Sequence, residues 1–546
     1  MKKFLTLLLC TLMITSILSA CNSPTAPLPE QSAQTDTQAP DSDVQQPEDT
    51  TQTQPETQTD AQTDAQTETQ PTPAIPPEQA AAPEQIIEGL DANAAIMDIG
   101  TKTKQVILQN DWASIKSAFT AAGYVPVDVT LIKDATMETL VLYGNTSMVT
   151  LQNTASGAYA IWEPYNQAAV ALLTPNQSTG KGKVKLAQIG IARTEETDNP
   201  MNGMCYIYKL SDGSAVIIDG GFNTKDCRNN ILHALDKLDV AQTEEGKYRI
   251  TAWIFSHGHK DHRAAFTGFG KNLGDLVQLT YAVYSFPPSP GTLTASTFDS
   301  VNFENKMYEN YPGVQHIVPH AGLAYHFDNL TVKILYAPEM MYAPDKTIAY
   351  YNDTSLIMLA ECGNTGTLFM GDAGESAAAL TWKNYEKTAF EAEMLQVTHH
   401  GFNTGDGSHN WKNLKLIYTN TKASYGLIPM GSRLEGDARN GRYTVIVGHG
   451  GANYQMSFFT DTRDRHDQGG TVSQQYYDKF VAEVAAGTCK YETLFGYDGI
   501  NKIVSDKGLI SYTSGNETEP MVTLFTLSES GVTVTQNQTL ASWLAE

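Results

Sequence analysis

Residues 251–262 read TAWIFSHGHKDH, and this stretch dominates the interpretation of the chain of 546 residues. The apolar run at 251–255 predicts a buried strand, which leads directly into a loop rich in histidine. Side chains of a loop can converge instead of alternating between two faces, and Gly258 permits the bend that this requires. Six residues thus offer three imidazoles and one carboxylate, which are suitable ligands for zinc, manganese or iron: His257, His259, Asp261 and His262.

Three further segments place acidic or histidine side chains at the ends of predicted strands. They are AVIIDGG at 215–221, which contains Asp219, TLFMGDA at 367–373, which contains Asp372, and MLQVTHHG at 394–401, which contains His399 and His400. The histidine loop lies between the first and the second of these segments. In this order along the chain, the four segments resemble the motifs of the metallo-β-lactamase superfamily. The resemblance covers about residues 183–545 and predicts an α/β (α+β) fold, the αβ/βα four-layer sandwich, in a domain spanning 183–546.

The resemblance implies a ligand set for two divalent metal ions, with zinc favoured and manganese or iron as alternatives. It assigns the first metal to His257, His259 and Asp372, and the second to Asp261, His262, Asp372 and His399. Asp261 and His262 would also take part in catalysis, whereas Asp219 would be structural. For the adjacent histidine pair, His399 is preferred as the ligand and His400 is the alternative.

The stretch from Asn352 to Gly401 is similar to the ComEC-type competence proteins and to the phosphorylcholine esterases. In these branches, the third-motif histidine of true β-lactamases is often missing. The candidates for that position in this chain are His316, His320 and His326. We expect each of them to be a packing or surface residue rather than a metal ligand. His449 could line the pocket, although a structural role is the simpler expectation.

This resemblance implies a metal-dependent hydrolase in which two metals share a bridging hydroxide. The favoured substrate is a phosphoester or phosphodiester, either a small molecule or a wall-associated ester. Two alternatives stay open, because fold alone does not determine substrate. One is a carbonyl hydrolase of the β-lactamase or lactonase type, and the other is a non-catalytic lipoprotein that binds the wall or surface.

Residues 1–21 combine two lysines, an apolar core and the ending Leu-Ser-Ala-Cys, which resembles a lipoprotein signal peptide with Cys21 as the lipidated residue. An ordinary secretory signal or an uncleaved anchor is the alternative. Residues 22–88 are rich in Gln, Thr, Pro and acidic side chains, a composition that favours a disordered linker. The expected location is therefore extracytoplasmic, with a lipid anchor in the membrane.

The remaining composition limits the other function classes. The formal net charge is −24, and residues 22–90 contain thirteen acidic side chains without a Lys or Arg. Because no basic cluster is present, nucleic acid is a less favoured partner. The body contains four cysteines, which would allow three disulfide pairings or free thiols: Cys205, Cys227, Cys362 and Cys489.

Residues 91–180 are expected to form a small α+β module with no catalytic motif, and its role is left open between binding and packing. A helix is predicted over 111–122. Strands are predicted over 127–132, 139–143, 147–151, 159–162 and 168–173.

Overall fold

The structure is a computed structural model. It describes residues 79–190, 203–272, 275–287, 299–344, 348, 350–401, 412–429, 446–447, 455–456, 502–504, 510–514 and 520–546. The expectations for the signal segment, for the linker up to residue 78, for His449 and for Cys489 lie outside these residues. In the described part of the chain, no helix is both long and apolar enough to cross a membrane.

The first described elements form a six-stranded sheet, here called the N-terminal sheet, whose strand order is β1-β2-β6-β5-β4-β3. Its strands are β1 Met97–Asp98, β2 Lys104–Leu108, β3 Val125–Pro126, β4 Glu138–Gly144, β5 Ser147–Thr154 and β6 Gly157–Pro164. The accompanying helices are α1 Pro83–Leu90, α2 Trp112–Ala121 and α3 Gln167–Leu172. The prediction that the disordered linker extends to residue 88 was wrong at its end, because residues 83–88 belong to α1, which buries Ile86 and Ile87 in the core beside this sheet. Helix α2 begins where the Asp111 side chain accepts a hydrogen bond from the Ser114 amide, which is a standard N-cap.

Two of the strand predictions in this region were wrong. Residues 167–172 form a helix, because the Asn166 side chain caps the amides of Ala168 and Ala169. A short apolar run such as AAVALL fits a buried helix as well as a strand, so periodicity could not decide between them. The segment 127–132 contributes only an isolated bridge between Leu131 and Leu323.

The second sheet, here called the first large sheet, has eight strands. Their order is β12-β11-β10-β9-β8-β7, followed beside β7 by two strands of the C-terminal hairpin, β23 Met521–Ser528 and β24 Gly531–Thr539. The sheet begins with β7 Lys183–Ile189, β8 Tyr206–Lys209, β9 Ala215–Ile218, β10 Tyr248–Ile254, β11 Val277–Val283 and β12 Gln315–Ile317. Strands β9 to β12 are parallel neighbours. They are connected through α4 Lys225–Lys237, α5 Lys260–Asn272 and α6 Ser300–Asn310.

The second large sheet also has eight strands, in the order β13-β14-β15-β16-β17-β18-β22-β21. Its first strands are β13 Ala324–Phe327, β14 Leu330–Tyr336, β15 Ile357–Cys362, β16 Thr365–Phe369, β17 Met394–Gln396 and β18 Tyr425–Ile428, with α7 Glu375–Lys383 and α8 Lys412–Thr421 between them. The pair β19 Ile446–Val447 and β20 Gln455–Met456 follows, and then β21 Lys502–Val504 and β22 Ile510–Thr513. The predicted C-terminal hairpin, β23 Met521–Ser528 with β24 Gly531–Thr539, returns to the first large sheet beside β7 and precedes α9 Leu540–Ala545.

The two large sheets pack face to face, and helices cover their outer faces. Between the sheets, the Tyr206 ring of β8 packs edge-on against Phe369 of β16, with ring centroids 5.0 Å apart. On the outer face of the first sheet, Trp253 packs against Phe266 of α5 at 5.1 Å. Helices α7 and α8 contribute buried side chains to the core of the second sheet. The expected αβ/βα four-layer sandwich is therefore confirmed by the packing of this chain.

A buried ionic network joins the N-terminal sheet to the large sheets. His320 Nδ1 lies 2.6 Å from Glu339 Oε2, and His320 Nε2 lies 3.5 Å from Glu163 Oε1. The Gln152 side chain of β5 donates to Glu339 Oε1 at 2.8 Å, and the Ala321 amide donates to the same oxygen at 2.9 Å. Because each buried charge has a partner of opposite sign, the network can be retained inside the protein.

The network predicts a pH-dependent stability. Burial would lower the pKa of His320, but Glu339 and Glu163 outweigh it and raise the pKa to about 10. In the unfolded chain a histidine has a pKa of about 6.5. The stabilisation is therefore complete below about pH 6.5 and is lost as the pH rises from there toward about 10.

We expect His320→Gln to destabilise the fold by about 3–5 kcal/mol near pH 6.5, since it leaves buried carboxylates without their cation. The melting temperature of the wild type should fall more between pH 6.5 and 9.5 than that of the variant. His233→Gln, which changes an exposed histidine of α4, is the matched control and should follow the wild type. Equal pH slopes for wild type and His320→Gln would contradict the proposed linkage.

Candidate metal centre

The predicted ligand segments meet at one edge of the sandwich. Parallel strands end at the same edge of their sheet, so the residues after β9 and β10 lie together, and so do those after β16 and β17. Gly371 brings the two sheets close at this point, because it has a φ of +52° and a Cβ placed there would lie 2.8 Å from the Cβ of Ser256. A larger residue would force the edges of the two sheets apart.

Two groups of side chains could each hold a metal ion. In each group, the potential ligand atoms lie within 4.8 Å of one another. The first group is His257, His259 and Asp372, and the second is Asp261, His262 and His400.

The Asp372 carboxylate lies between the two groups. Its Oδ2 is 3.7 Å from His257 Nε2 and 3.3 Å from His262 Nε2, and its Oδ1 is 3.5 Å from His400 Nε2. The Nε2 atoms of His262 and His400 are 3.2 Å apart. One carboxylate thus faces both candidate positions, which is the arrangement that a bridging ligand requires.

The donor set fits divalent metal ions. Asp372 is 2% exposed, and its Oδ1 is buried without a hydrogen-bond partner. Three histidines have their Nδ1 engaged away from the centre: His257 with Ser256 Oγ at 3.2 Å, His262 with Asp219 Oδ2 at 2.8 Å and His400 with the Pro429 carbonyl at 2.7 Å. Their Nε2 atoms are left to converge on Asp372. An outer hydrogen bond that orients a histidine in this way is typical of metal-binding sites.

Asp219 fixes the position of the histidine loop through contacts with Ser256 and His262. Its carboxylate accepts hydrogen bonds from the Ser256 amide at 2.8 Å and from the Ser256 hydroxyl at 2.7 Å, besides its contact with His262. Asp219 is completely buried and has a left-handed φ of 55°. The structure therefore places this residue behind the predicted ligands, in a position that suits the structural role expected from its motif.

The side chains of His399 and His400 point in different directions. The sequence favours His399 as the metal ligand, but the geometry favours His400. Both have left-handed backbone angles, with φ of 50° and 57°. His400 is buried, and its Nε2 is 3.4 Å from Asp261 Oδ2. The Nε2 of His399 is 4.0 Å from Asp372 Oδ2 and 3.2 Å from the Asn352 side-chain nitrogen, so His399 lies at the rim and outside both groups.

The histidines and carboxylates of the centre shift one another's pKa values. Burial lowers the pKa of His257 and of His259, which leaves neutral imidazoles that can act as ligands. Burial would also lower the pKa of His262, but the nearby carboxylates, Asp372 first, raise it well above its usual range. Conversely, burial would raise the pKa of Asp372, but His262 and His400 hold it well below its usual range. Divalent cations would supply the positive charge that these carboxylates attract.

The third-motif candidates lie elsewhere. His316 stacks on Tyr284, with ring centroids 3.9 Å apart, and His320 belongs to the ionic network described above. His326 contacts the hydroxyl groups of Thr331 and Thr130, each at 3.0 Å. None of the three belongs to either group of potential ligands. Among the described cysteines, Cys205, Cys227 and Cys362 are free thiols.

The loop before β15 also contributes to the centre, although its motif had suggested no role for these residues. The Tyr351 ring lies 4.8 Å from that of His259, and Asn352 contacts His399. The Ser355 hydroxyl accepts a hydrogen bond from the Asp372 amide at 3.0 Å. Because β15 is antiparallel to β16, the start of β15 lies at the edge of the sheet where β16 ends. The polar residues just before β15 could therefore have been predicted to lie near Asp372.

No protein-family model and no curated protein sequence matches the chain. Solved structures similar to it include the metallo-β-lactamase fold protein YhfI from Bacillus subtilis, at 15% identity and a TM-score of 0.28, covering 45% of this chain and 85% of that one. Zn²⁺-bound PqqB from Methylobacterium extorquens has 13% identity and a TM-score of 0.26, covering 39% and 72%. A diphosphatase of the PhnP family has 12% identity and a TM-score of 0.25, covering 45% and 85%.

The two adjacent histidines give a direct test of the ligand set. We expect His400→Ala to lose about one equivalent of bound metal, because the second group then lacks one of its three side chains. His399→Ala should retain the metal content of the wild type and serves as the matched control. Inductively coupled plasma mass spectrometry after dialysis measures both. Loss of metal in His399→Ala alone would reverse the assignment.

Proposed function

We propose that this chain is a metal-dependent hydrolase that cleaves a phosphoester or phosphodiester. The observation that carries the proposal is the convergence of the Nε2 atoms of His257, His262 and His400 on Asp372, a buried carboxylate whose Oδ1 accepts no hydrogen bond. Such a set has little purpose as a purely structural cluster, since an unsatisfied buried polar atom costs stability. Two divalent ions, with zinc favoured, fit the donor types.

When bound, the metal ions would activate water and neutralise charge on the substrate. The chain's own residues arrange the rest. His257 and His262 are fully buried, whereas the side chains of Asp261 and His399 are 23% and 22% exposed. The open side of the centre is therefore lined by Asp261, which can hold or orient the attacking water, and by His399, which is positioned to contact the substrate. Asn352 keeps His399 in place through its hydrogen bond.

The positions of the histidines outside the metal centre support phosphoester hydrolysis over carbonyl hydrolysis. The resemblance that includes Asn352 to Gly401 points to branches that often lack the third-motif histidine, and His316, His320 and His326 all lie outside the ligand groups. Carbonyl hydrolysis and a non-catalytic binding role are the alternative outcomes of the activity test.

The purified chain loaded with zinc or manganese should hydrolyse bis-p-nitrophenyl phosphate. We expect His259→Ala and Asp372→Asn to lower kcat/KM by more than roughly 100-fold, because each removes a metal ligand. A chelator should abolish the activity, and readdition of metal should restore it. His233→Ala, which changes an exposed histidine away from the centre, is the control and should leave the rate unchanged.

Other outcomes of this assay would contradict the proposal in distinct ways. Hydrolysis of nitrocefin or a lactone with no hydrolysis of phosphoesters would favour a carbonyl hydrolase. A chain that binds no metal at neutral pH and hydrolyses neither substrate class would favour the non-catalytic role. Phosphodiesterase activity that survives in both ligand variants would remove the centre from the mechanism.

We further propose that the enzyme is held at the outer side of the cytoplasmic membrane by a lipid on Cys21, with residues 22–78 as a spacer. The sequence from Leu18 to Cys21 supports this placement.

In a bacterial host, the wild type should label with radioactive palmitate and fractionate with membranes. Cys21→Ser should lose the label, because the thiol that carries the lipid is gone. Cys10→Ser, which changes a cysteine in the apolar core of the same segment, is the control and should retain it. Equal labelling of wild type and Cys21→Ser would contradict the lipid anchor.

A further inference from the structure

A second concave site lies apart from the metal centre, between the N-terminal sheet and the first large sheet. It is a cleft of about 760 Å³, a volume within the range of about 300–1,000 Å³ that is usual for small-molecule sites. It contains none of the predicted metal ligands. The residues that matter for its chemistry are Lys102, Glu163, Tyr165, Gln167, Tyr308 and Gln315.

Two tyrosine rings enter the cleft from different elements. Tyr308 belongs to α6 and is 39% exposed, and Tyr165 follows β6 and is half-buried. Tyrosine combines a flat apolar ring with a polar tip, so it can pack against a ring-shaped ligand and also hydrogen-bond to it. The pair therefore favours a ligand that has both apolar faces and hydroxyl groups.

The charges of the cleft are already paired. Of the described residues that line it, Lys102 and Glu163 are the only acidic or strongly basic ones. Lys102 Nζ lies 3.4 Å from Glu304 Oε1, and Glu163 Oε1 lies 3.5 Å from His320 Nε2. An anion or cation would have to compete with these pairs, so the electrostatics favour a neutral ligand.

Hydrogen-bonding groups also line the cleft. Gln167 and Gln315 are exposed, and the Gln315 side chain donates a long hydrogen bond of 3.4 Å to the Gly313 carbonyl. A smaller cavity of about 10 Å³ adjoins the cleft, shares Thr101 and His316 with it, and is lined by Tyr284. Tyr284 is 3% exposed, and its hydroxyl has no hydrogen-bond partner.

An unpartnered buried hydroxyl is unfavourable, and one ligand hydroxyl or one water would satisfy it. A cavity of this size has room for about one such group. The small cavity that Tyr284 lines also shares Thr103 and Val318 with the cleft, so this residue lies next to the cleft.

From these contacts, we infer that the cleft is a binding site for a neutral oligosaccharide. Lys102 Nζ lies over one face of the Tyr308 ring, 5.5 Å from its centroid. The other face of this ring would pack against one sugar ring, and Gln167 and Gln315 would bind hydroxyl groups of the sugar. A phosphate-rich ligand would need unpaired cations, which the described lining of the cleft does not provide. An acyl chain would need a mainly apolar lining, whereas this cleft mixes apolar side chains such as Ala171 and Val314 with polar and charged ones. This site is independent of hydrolysis and gives the N-terminal sheet a recognition role.

Isothermal titration calorimetry with the purified chain tests this inference, using N,N′-diacetylchitobiose, cellobiose and maltotriose as probes. We expect one-to-one binding of at least one of them with a Kd of about 1 mM or below. Tyr308→Ala should weaken that binding by about fivefold or more, because the sugar loses its aromatic contact. Gln315→Ala, which changes an exposed side chain, should also weaken it without affecting the fold.

Two controls separate binding in the cleft from binding elsewhere on the protein. Tyr350→Ala changes a tyrosine outside the cleft that is also 39% exposed, and it should bind the sugar like the wild type. His259→Ala should also retain sugar binding, even if it loses hydrolysis, because the cleft contains no metal ligand. Sugar binding that depends on His259 would overturn the inference, since the sugar would then occupy the metal centre.

Three further results would overturn it. The first is the absence of binding by every probe at about 10 mM. The second is equal affinity in Tyr308→Ala and Tyr350→Ala. The third is saturable binding of inorganic phosphate that Tyr308→Ala weakens, which would make the cleft an anion site.

Discussion

The arrangement of the metal centre depends on one buried carboxylate, that of Asp219. It accepts two hydrogen bonds from Ser256 and a third contact from His262, so one side chain sets both the start of the histidine loop and the orientation of its last member. Burial raises the pKa of Asp219, and the charge of His262 opposes this effect. Without the contact between Asp219 and His262 Nδ1, the Nε2 atom of His262 would not be held toward Asp372. The two groups of potential ligands would then no longer converge on the Asp372 carboxylate.

Much of the fold follows from the sequence because its elements have strong local patterns. The apolar runs of β9 and β10 are buried on both faces, because helices cover one face of their sheet and the second large sheet covers the other. The helical spacing at Ile231, Leu235 and Leu238 is likewise visible in the sequence alone. The sequence could not predict that 167–172 is a helix, because the short apolar run over 168–173 has no periodicity that separates a helix from a strand.

The sequence indicated which segments contribute to the candidate site, but not the detailed positions of their side chains. A strand that ends in histidine and aspartate indicates a centre, and the resemblance supplies an order of ligands. The choice between His399 and His400 depends on two consecutive left-handed residues and on the position of the Pro429 carbonyl, which comes from a distant segment. Likewise, the pairing of His320 with Glu339 and Glu163 exists only once the N-terminal sheet lies against the large sheets.

The pairing of β7 with β23 has a consequence for biosynthesis. Ile189 of β7 pairs with Val522 of β23. During synthesis, β7 therefore leaves the ribosome long before the strand that covers its edge. Until then, β7 has an open edge whose backbone groups can pair with another chain. A chain that stalls or is clipped before residue 521 would keep this edge exposed, and it would be a preferred target for chaperones and proteases.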